Sequence, residues 1–493
     1  MGNPVKVKSS IAQLDESRLS VPFTYGLRPE VLGDFHTLAQ SVSALAPTST
    51  PAILIPLVFG LAGNGTWLAY VIATIGIVLV GANINQFASR STSPGSIYSY
   101  VAIGLGPGVG ILTGWLFLCG YIVVISSVES QFALYAVPLV KEILHLSIAP
   151  TVLVLICATI ACYIAWRDIK ISSLLMLILE VCSISLISIL MGITLWHRGH
   201  VLDWSQIKLT GVSAQSLSLG LVFAIFGFTG FESAASLGSE AKDPLKNIPK
   251  AIIRSGLWSG TLFIICAYIM ILGFSGSAIH FEKCGTPLIN LAALDGVPSL
   301  GLVLGCGVVI SLFACTLACI NVTSRLMFMM GHHGLFHSSF SQAHERNRTP
   351  HVAIIVATIL GTLPALLLYS WNFSLMDIVA WTGTLSAYGF ISAYALVSIA
   401  APVYLYQLKT LELRDLLIAI LAFSTMCLAL VGNVDANAVG VAKYLPYVFI
   451  TLVTVGIAWY CMLKIFSPET IRSMAADIES IRDRFISNTQ SAG

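Results

Sequence analysis

Twelve apolar stretches of membrane-spanning length run through this 493-residue chain, over residues 36–62, 66–87, 97–139, 150–166, 171–195, 212–238, 250–274, 298–330, 351–369, 374–404, 413–432 and 443–466. A bilayer span needs about 20 mostly apolar residues. Lipid admits spanning backbone only as helices or as a closed barrel, and these runs lack the alternation of barrel strands. With 56% hydrophobic and only 10% charged residues, against about 25% charged in soluble domains, a water-soluble fold is excluded. The expected fold is an all-α polytopic membrane protein with about 12 transmembrane helices.

The net charge of +2 sets up no field that would recruit nucleic acid. Placement of the charges says more. With the N-terminus in the cytosol, the outer loops hold only Lys141, Arg198, Lys208, Lys283 and Lys443, leaving 20 of the 25 basic residues inside. That imbalance predicts cytosolic termini. Residues 1–33, with Lys6, Lys8, Asp15, Glu16, Arg18, Arg28 and Glu30, lack the plan of a signal peptide and read as a cytosolic tail. The eleven cysteines suggest no extracellular disulfide framework. Cys315 and Cys319 share a helix face, where small-residue packing explains them.

Stretches 1 and 6 are interrupted near their middles. The first carries Ala44-Leu45-Ala46-Pro47-Thr48-Ser49-Thr50-Pro51, and the sixth Phe226-Gly227-Phe228-Thr229-Gly230-Phe231-Glu232-Ser233. Two prolines four apart remove two backbone donors and free carbonyls upstream, while glycines permit unwinding and close approach. Irregular backbone survives at membrane depth only where it lines a cavity or is buried in protein. Broken helices five spans apart are the mark of an inverted repeat with substrate bound near mid-membrane.

The run from Phe226 through Glu232 to Asp243-Pro244-Leu245-Lys246-Asn247-Ile248-Pro249-Lys250 and on to Ile252 resembles the amino acid-polyamine-organocation superfamily of permeases. Pro94-Gly95-Ser96-Ile97-Tyr98-Ser99-Tyr100 ahead of Gly114-Trp115, Ser324-Arg325 with Gly334, and His344 with Thr349-Pro350 agree in order and spacing. The resemblance spans about residues 36–404. It implies a LeuT-like fold, a 5+5 inverted repeat with discontinuous helices 1 and 6. The implied layout is an N-terminal tail at 1–33, a core at 34–404 with repeats over about 36–195 and 212–404, peripheral helices 11 and 12 at 405–466, and a C-terminal tail at 467–493. Two positions depart from the superfamily. Many members have Gly-x-Gly in helix 1 where this chain has Ala46-Pro47-Thr48-Ser49-Thr50, and some proton-coupled members carry a helix 5 lysine where Ser183 stands here, three residues from Glu180.

A zwitterionic amino acid needs donors for its carboxylate and acceptors for its ammonium, which two unwound helices supply from backbone. The N–H groups and hydroxyls of Thr48, Ser49 and Thr50, after Pro47, are expected to hold the carboxylate. Carbonyls near Ala44 and around Phe226, Gly227 and Gly230 are expected to hold the ammonium. The rival reading is that the hydroxyls only satisfy carbonyls freed by the prolines. By the resemblance, Phe226 is the aromatic gate over the substrate. Glu232 sits in an apolar helix, where a charged carboxylate costs at least about 2.5 kcal/mol, so it is expected to be protonated, paired or facing water. It and Glu180 are the candidates for proton coupling, with cross-helix hydrogen bonding as the structural rival. Glu129 and Asp377, read as nearer helix ends, are secondary. Ser183, Ser311 and Thr316 form a candidate cation site of the kind sodium would need. Arg325, Glu240, Lys242 and Asp243 read as inner-gate or structural parts.

Other classes fit less well. His332, His333, His337 and His344 suggest a membrane di-iron enzyme, but the inner side offers six histidines, with His36 and His351, where about eight are needed, and a solvated loop explains them. A channel, an organic-cation, polyamine or potassium carrier, an amino-acid exchanger, or a non-transporting sensor remain alternatives on the same fold. The reading is a secondary active transporter of an amino acid or related amine across the plasma membrane, driven by protons or by sodium. It calls for no cofactor, metal or nucleic acid, has membrane lipid around it, and leaves the oligomeric state open. Residues 471–485 read as an amphipathic segment at the membrane surface.

Overall fold

The computed structural model describes residues 26–167, 169–199, 201–432 and 440–477. The tail up to residue 25 and the 478–485 part of the amphipathic segment lie outside the described residues. Among the described residues, ten segments are long and apolar enough to cross a membrane, the first of which, Asp34–Ala88, contains the broken first stretch and the second. Ala214–Phe226 is a shorter apolar helix.

The first stretch forms α1 (Asp34–Leu45), a π-helical turn at Thr50–Leu54 and α2 (Ile55–Ala62). Helix α1 ends where Ala46 turns left-handed, φ 44°, directly before Pro47. The wider π turn follows from Pro51 and Pro56, which cannot donate to carbonyls one turn back. Helix α3 (Thr66–Ala88) then crosses back.

The third stretch does not run as one helix. It splits into α4 (Ile97–Leu105) and α5 (Pro107–Leu144). Gly106 takes φ 89° and Pro107 starts the next helix, so the long third stretch holds two helices joined at Gly106.

Helices α6 (Pro150–Arg167) and α7 (Ile169–Arg198) follow, then the short α8 (Trp204–Ile207). The sixth stretch gives α9 (Ala214–Phe226), a run of turns, and a 3-10 turn at Ser233–Leu237. The remaining helices are α10 (Pro244–Phe274), α11 (Pro287–Leu294), α12 (Pro298–His332), α13 (His351–Ser370), α14 (Leu375–Gln407), α15 (Leu413–Gly432) and α16 (Leu445–Phe466). Residues 468–477 are also helical.

The two broken stretches pack against each other half by half, α2 on α9 and α1 on the 3-10 turn. Helix α5 lies at the centre, packed on α12 and α14. Helices α15 and α16 stay peripheral, with much apolar surface left for lipid, as at Leu417, Ile420, Ile450 and Ile457.

Candidate substrate site

At the first break the chain does two different things with its hydroxyls. Ser49 Oγ donates to Gln131 Oε1 on α5 at 2.5 Å, and Ser49 N–H is bonded to Ala46 O at 2.8 Å. The hydroxyls of Thr48 and Thr50 are fully buried yet have no hydrogen-bond partner. Buried polar atoms are nearly always satisfied, so two orphans within one break are a demand that a bound polar group would meet. The rival reading, hydroxyls bonded to freed carbonyls, fails for these two. The freed carbonyl of Ala52, which Pro56 cannot serve, is satisfied instead by Tyr135 Oη at 2.9 Å.

At the second break Phe226 is the last residue of α9. Its carbonyl accepts from Thr229 N–H at 3.0 Å and from Thr229 Oγ1 at 2.9 Å, so local bonds already occupy the acceptor expected for an ammonium. Ala44 O accepts from Cys315 Sγ at 3.5 Å, a weak bond from a soft donor. Gly230 carries φ 93°, and a Cβ there would lie 2.8 Å from Ala44 Cβ and 2.9 Å from Ala44 O. Only glycine lets the two breaks touch. A Cβ on Gly227 would likewise lie 2.9 Å from Thr50 Oγ1, which ties the first break to the residue beside Phe226. Below them, Ser233 Oγ donates to Gln40 O at 3.1 Å and Ala234 N–H donates to Ser41 Oγ at 3.0 Å.

Glu232 is fully buried and its two carboxyl oxygens accept one hydroxyl each, from Tyr121 on α5 and Tyr394 on α14, both at 2.6 Å. Both donors are neutral, so the carboxyl is held by hydrogen bonds rather than by a cation. Glu180 on α7 accepts from Ser311 Oγ at 2.7 Å through one oxygen, and the other is buried without a partner. Its neighbour Ser183 donates to Gly307 O and Leu179 O, both at 2.9 Å. Thr316 is bonded to Leu312 O at 3.0 Å and approached by Cys157 Sγ at 3.8 Å. The three hydroxyls of the candidate cation site are thus each engaged with a different partner. Facing Ala44, α12 presents the thiols of Cys315 and Cys319, 3.9 Å apart.

Glu129 departs from expectation. It lies well inside α5, fully buried, accepting from Thr362 Oγ1 at 3.1 Å with its second oxygen unpartnered. Asp377 is exposed in the first turn of α14, where its N–H and carboxylate both bond the Ser374 cap. The loop histidines are dispersed. His333 meets Tyr98 Oη at 2.7 Å and Asp477 at 3.4 Å, while His344 faces His351. Among the described residues no three His, Cys, Asp or Glu side chains group as metal ligands.

The end where α1 begins is sealed by a buried ion pair. Arg325 Nε and Nη2 reach the two carboxylate oxygens of Glu240 at 2.7 and 3.0 Å, and Nη1 donates to Asn321 O at 3.0 Å. Both side chains are shut off from solvent, at 1% and 0% exposure. The Glu240 carbonyl accepts the N–H groups of Val31 and Leu32, and Lys242 N–H donates to Leu32 O. Loop, pre-α1 segment and α12 therefore meet at one residue. Asp243 precedes α10 in a left-handed conformation.

Sequence reasoning missed Tyr121, Tyr394, Gln131 and Tyr135. The available signal was chemical, because a tyrosine inside an apolar helix needs a partner for its hydroxyl.

Two discontinuous helices crossing at their breaks, polar demand between them and a sealed end define a multi-pass membrane transporter rather than an enzyme. The fold agrees with a solved one: the crystal structure of MhsT in complex with L-phenylalanine superposes with a TM-score of 0.55 at 16% identity, covering 82% of this chain and 98% of that one. It has the LeuT-like architecture. The amino acid permease family model matches residues 36–469, and the chain belongs to that family. It is 24% identical over 356 residues to the branched-chain amino acid permease BcaP of Bacillus subtilis, covering 68% of this chain and 74% of the relative. It is 25% identical over 373 residues to the low-affinity putrescine importer PlaP of Escherichia coli K12, covering 73% and 78%.

Proposed function

We propose that this secondary transporter carries an amino acid or a related amine across the plasma membrane in exchange for, or together with, protons, with both termini in the cytosol. The observation that carries the reading is the pair of buried, unpartnered hydroxyls of Thr48 and Thr50 at a helix break. They stand where the N-terminal end of a half-helix favours an anion such as a carboxylate. The ammonium is held from the Ala44 and Gly227–Gly230 side, and Phe226 closes over the substrate.

Glu232 is the coupling group in this reading. A carboxyl between two neutral hydroxyl donors changes its hydrogen bonding when it gains a proton: one oxygen becomes a weaker acceptor and carries an O–H that needs an acceptor of its own. That links protonation to α5 and α14. Glu180, with one free oxygen, is the second proton-carrying candidate. A cation role for Ser183, Ser311 and Thr316 requires them to leave their present partners.

An amine carrier is the second reading, favoured by the likeness to a putrescine importer and by an acid in helix 6 that could face a cation. Uptake of radiolabelled amino acids, and separately putrescine, into proteoliposomes with and without an inward proton gradient tests both. Gradient-driven accumulation of an amino acid supports the first reading; accumulation of putrescine alone replaces it with the second.

A further inference from the structure

We propose that Gly383 on α14 is the seat of the Phe226 ring and so limits the size of the side chain that the site admits. This inference rests on the reading of Phe226 as the lid. A Cβ built on Gly383 would lie 3.0 Å from Phe226 Cε1, 3.2 Å from Cζ and 3.5 Å from Cδ1, so the ring edge lies against bare backbone. Gly383 sits inside a 33-residue helix, where glycine is disfavoured relative to alanine. Close approach of another group is the usual reason for a glycine in such a place.

The root of the ring is fixed as well. Phe226 ends α9, its carbonyl is held twice by Thr229, and Gly227 beside it abuts Thr50. With its backbone held at the end of α9, the ring yields to a methyl at 383 by moving off α14. On the lid reading, the space given up to that movement is the space the substrate side chain would occupy.

Helix α14 thereby touches the site at two levels. Gly383 meets the lid, and eleven residues further on, about 16 Å along the axis, Tyr394 holds Glu232. A shift of this one helix moves the seat of the lid and a ligand of the acid together.

The test is uptake of radiolabelled L-alanine, L-leucine and L-phenylalanine into proteoliposomes by the full chain, by Gly383→Ala, by Phe226→Ala and by Gly383→Ala with Phe226→Leu. Gly383→Ala is expected to raise KM for the largest transported substrate tenfold or more relative to the smallest, with kcat changed much less. Phe226→Leu in that background is expected to restore the ratio. A wild-type ratio in Gly383→Ala alongside an altered ratio in Phe226→Ala overturns the seat and leaves the lid standing; wild-type ratios in both overturn both. If Gly383→Ala does not fold, recovery of folded protein by Phe226→Leu supports the contact, and no recovery overturns it.

Discussion

Replacing Glu240 by glutamine leaves the Arg325 guanidinium buried without its counter-charge. Two charge-assisted hydrogen bonds, at 2.7 and 3.0 Å, are weakened at once, in surroundings where neither partner reaches water. Breaking a buried pair by neutralising one partner costs about 3–5 kcal/mol, a shift of roughly 10²–10⁴ in an equilibrium constant. Arg325→Met strands the acid instead and should cost a similar amount. Glu240→Leu with Arg325→Met removes both charges, so its cost should fall well below the sum of Glu240→Leu and Arg325→Met. The assay is denaturant unfolding of the detergent-purified chain for the wild type, each single variant and the double variant. An interaction energy of at least about 2 kcal/mol is expected from the cycle. Additive costs, or single variants within about 0.5 kcal/mol of the wild type, would refute the argument that this pair is held by burial and mutual charge.

Glu232→Gln should abolish gradient-driven accumulation while leaving substrate exchange in part, and Tyr121→Phe and Tyr394→Phe should each lower accumulation less; counterflow and gradient uptake separate the two. Tyr135→Phe strips the donor from Ala52 O and should cost about 1–3 kcal/mol for the unsatisfied carbonyl, seen as a lower unfolding midpoint. Gly230→Ala meets both a left-handed φ and the Ala44 backbone, and should reduce uptake at least tenfold at equal surface expression. In the loop beside α8, partial burial opposes the charge of Asp203, but hydrogen bonds from Ser205 and Gln206 outweigh it and hold its carboxyl below the ordinary value of 3.8. A depressed folded value means this stabilisation is present above about pH 4 and disappears as pH falls through the lower folded value. Asp203→Asn should therefore narrow its stability difference from the wild type only below pH 4 in melting curves.

Punctuation made the breaks legible. Pro47, Pro51, Gly227 and Gly230 mark where two helices fail, and the structure fails there for the stated reasons of missing donors and close approach. The same logic was available at Leu105-Gly106-Pro107, yet the apolar run on either side reads through it, because hydropathy averages over a two-residue junction. The Phe226–Ile252 run carried the family. Partners of the acids were not legible: Tyr121 and Tyr394 stand 111 and 162 residues from Glu232, and apolar periodicity carries no record of which helices will be neighbours. Glu129 shows the limit from the other side, since its distance from a helix end depended on where that helix stopped. The engagement of Ser49 by Gln131, which leaves Thr48 and Thr50 as the free hydroxyls, is a choice among three similar residues that only packing makes.

The residue pinned from three directions has a consequence for leakage. If α1 swings away to open this end, the Val31 and Leu32 bonds to the Glu240 carbonyl must part, and Glu240 then loses the frame that aims its carboxylate at Arg325. Neither half can yield alone without leaving a buried backbone group or a buried charge exposed to apolar surroundings. Opening of this end is therefore expected to part both sets of contacts together, which makes slightly ajar states the rarest.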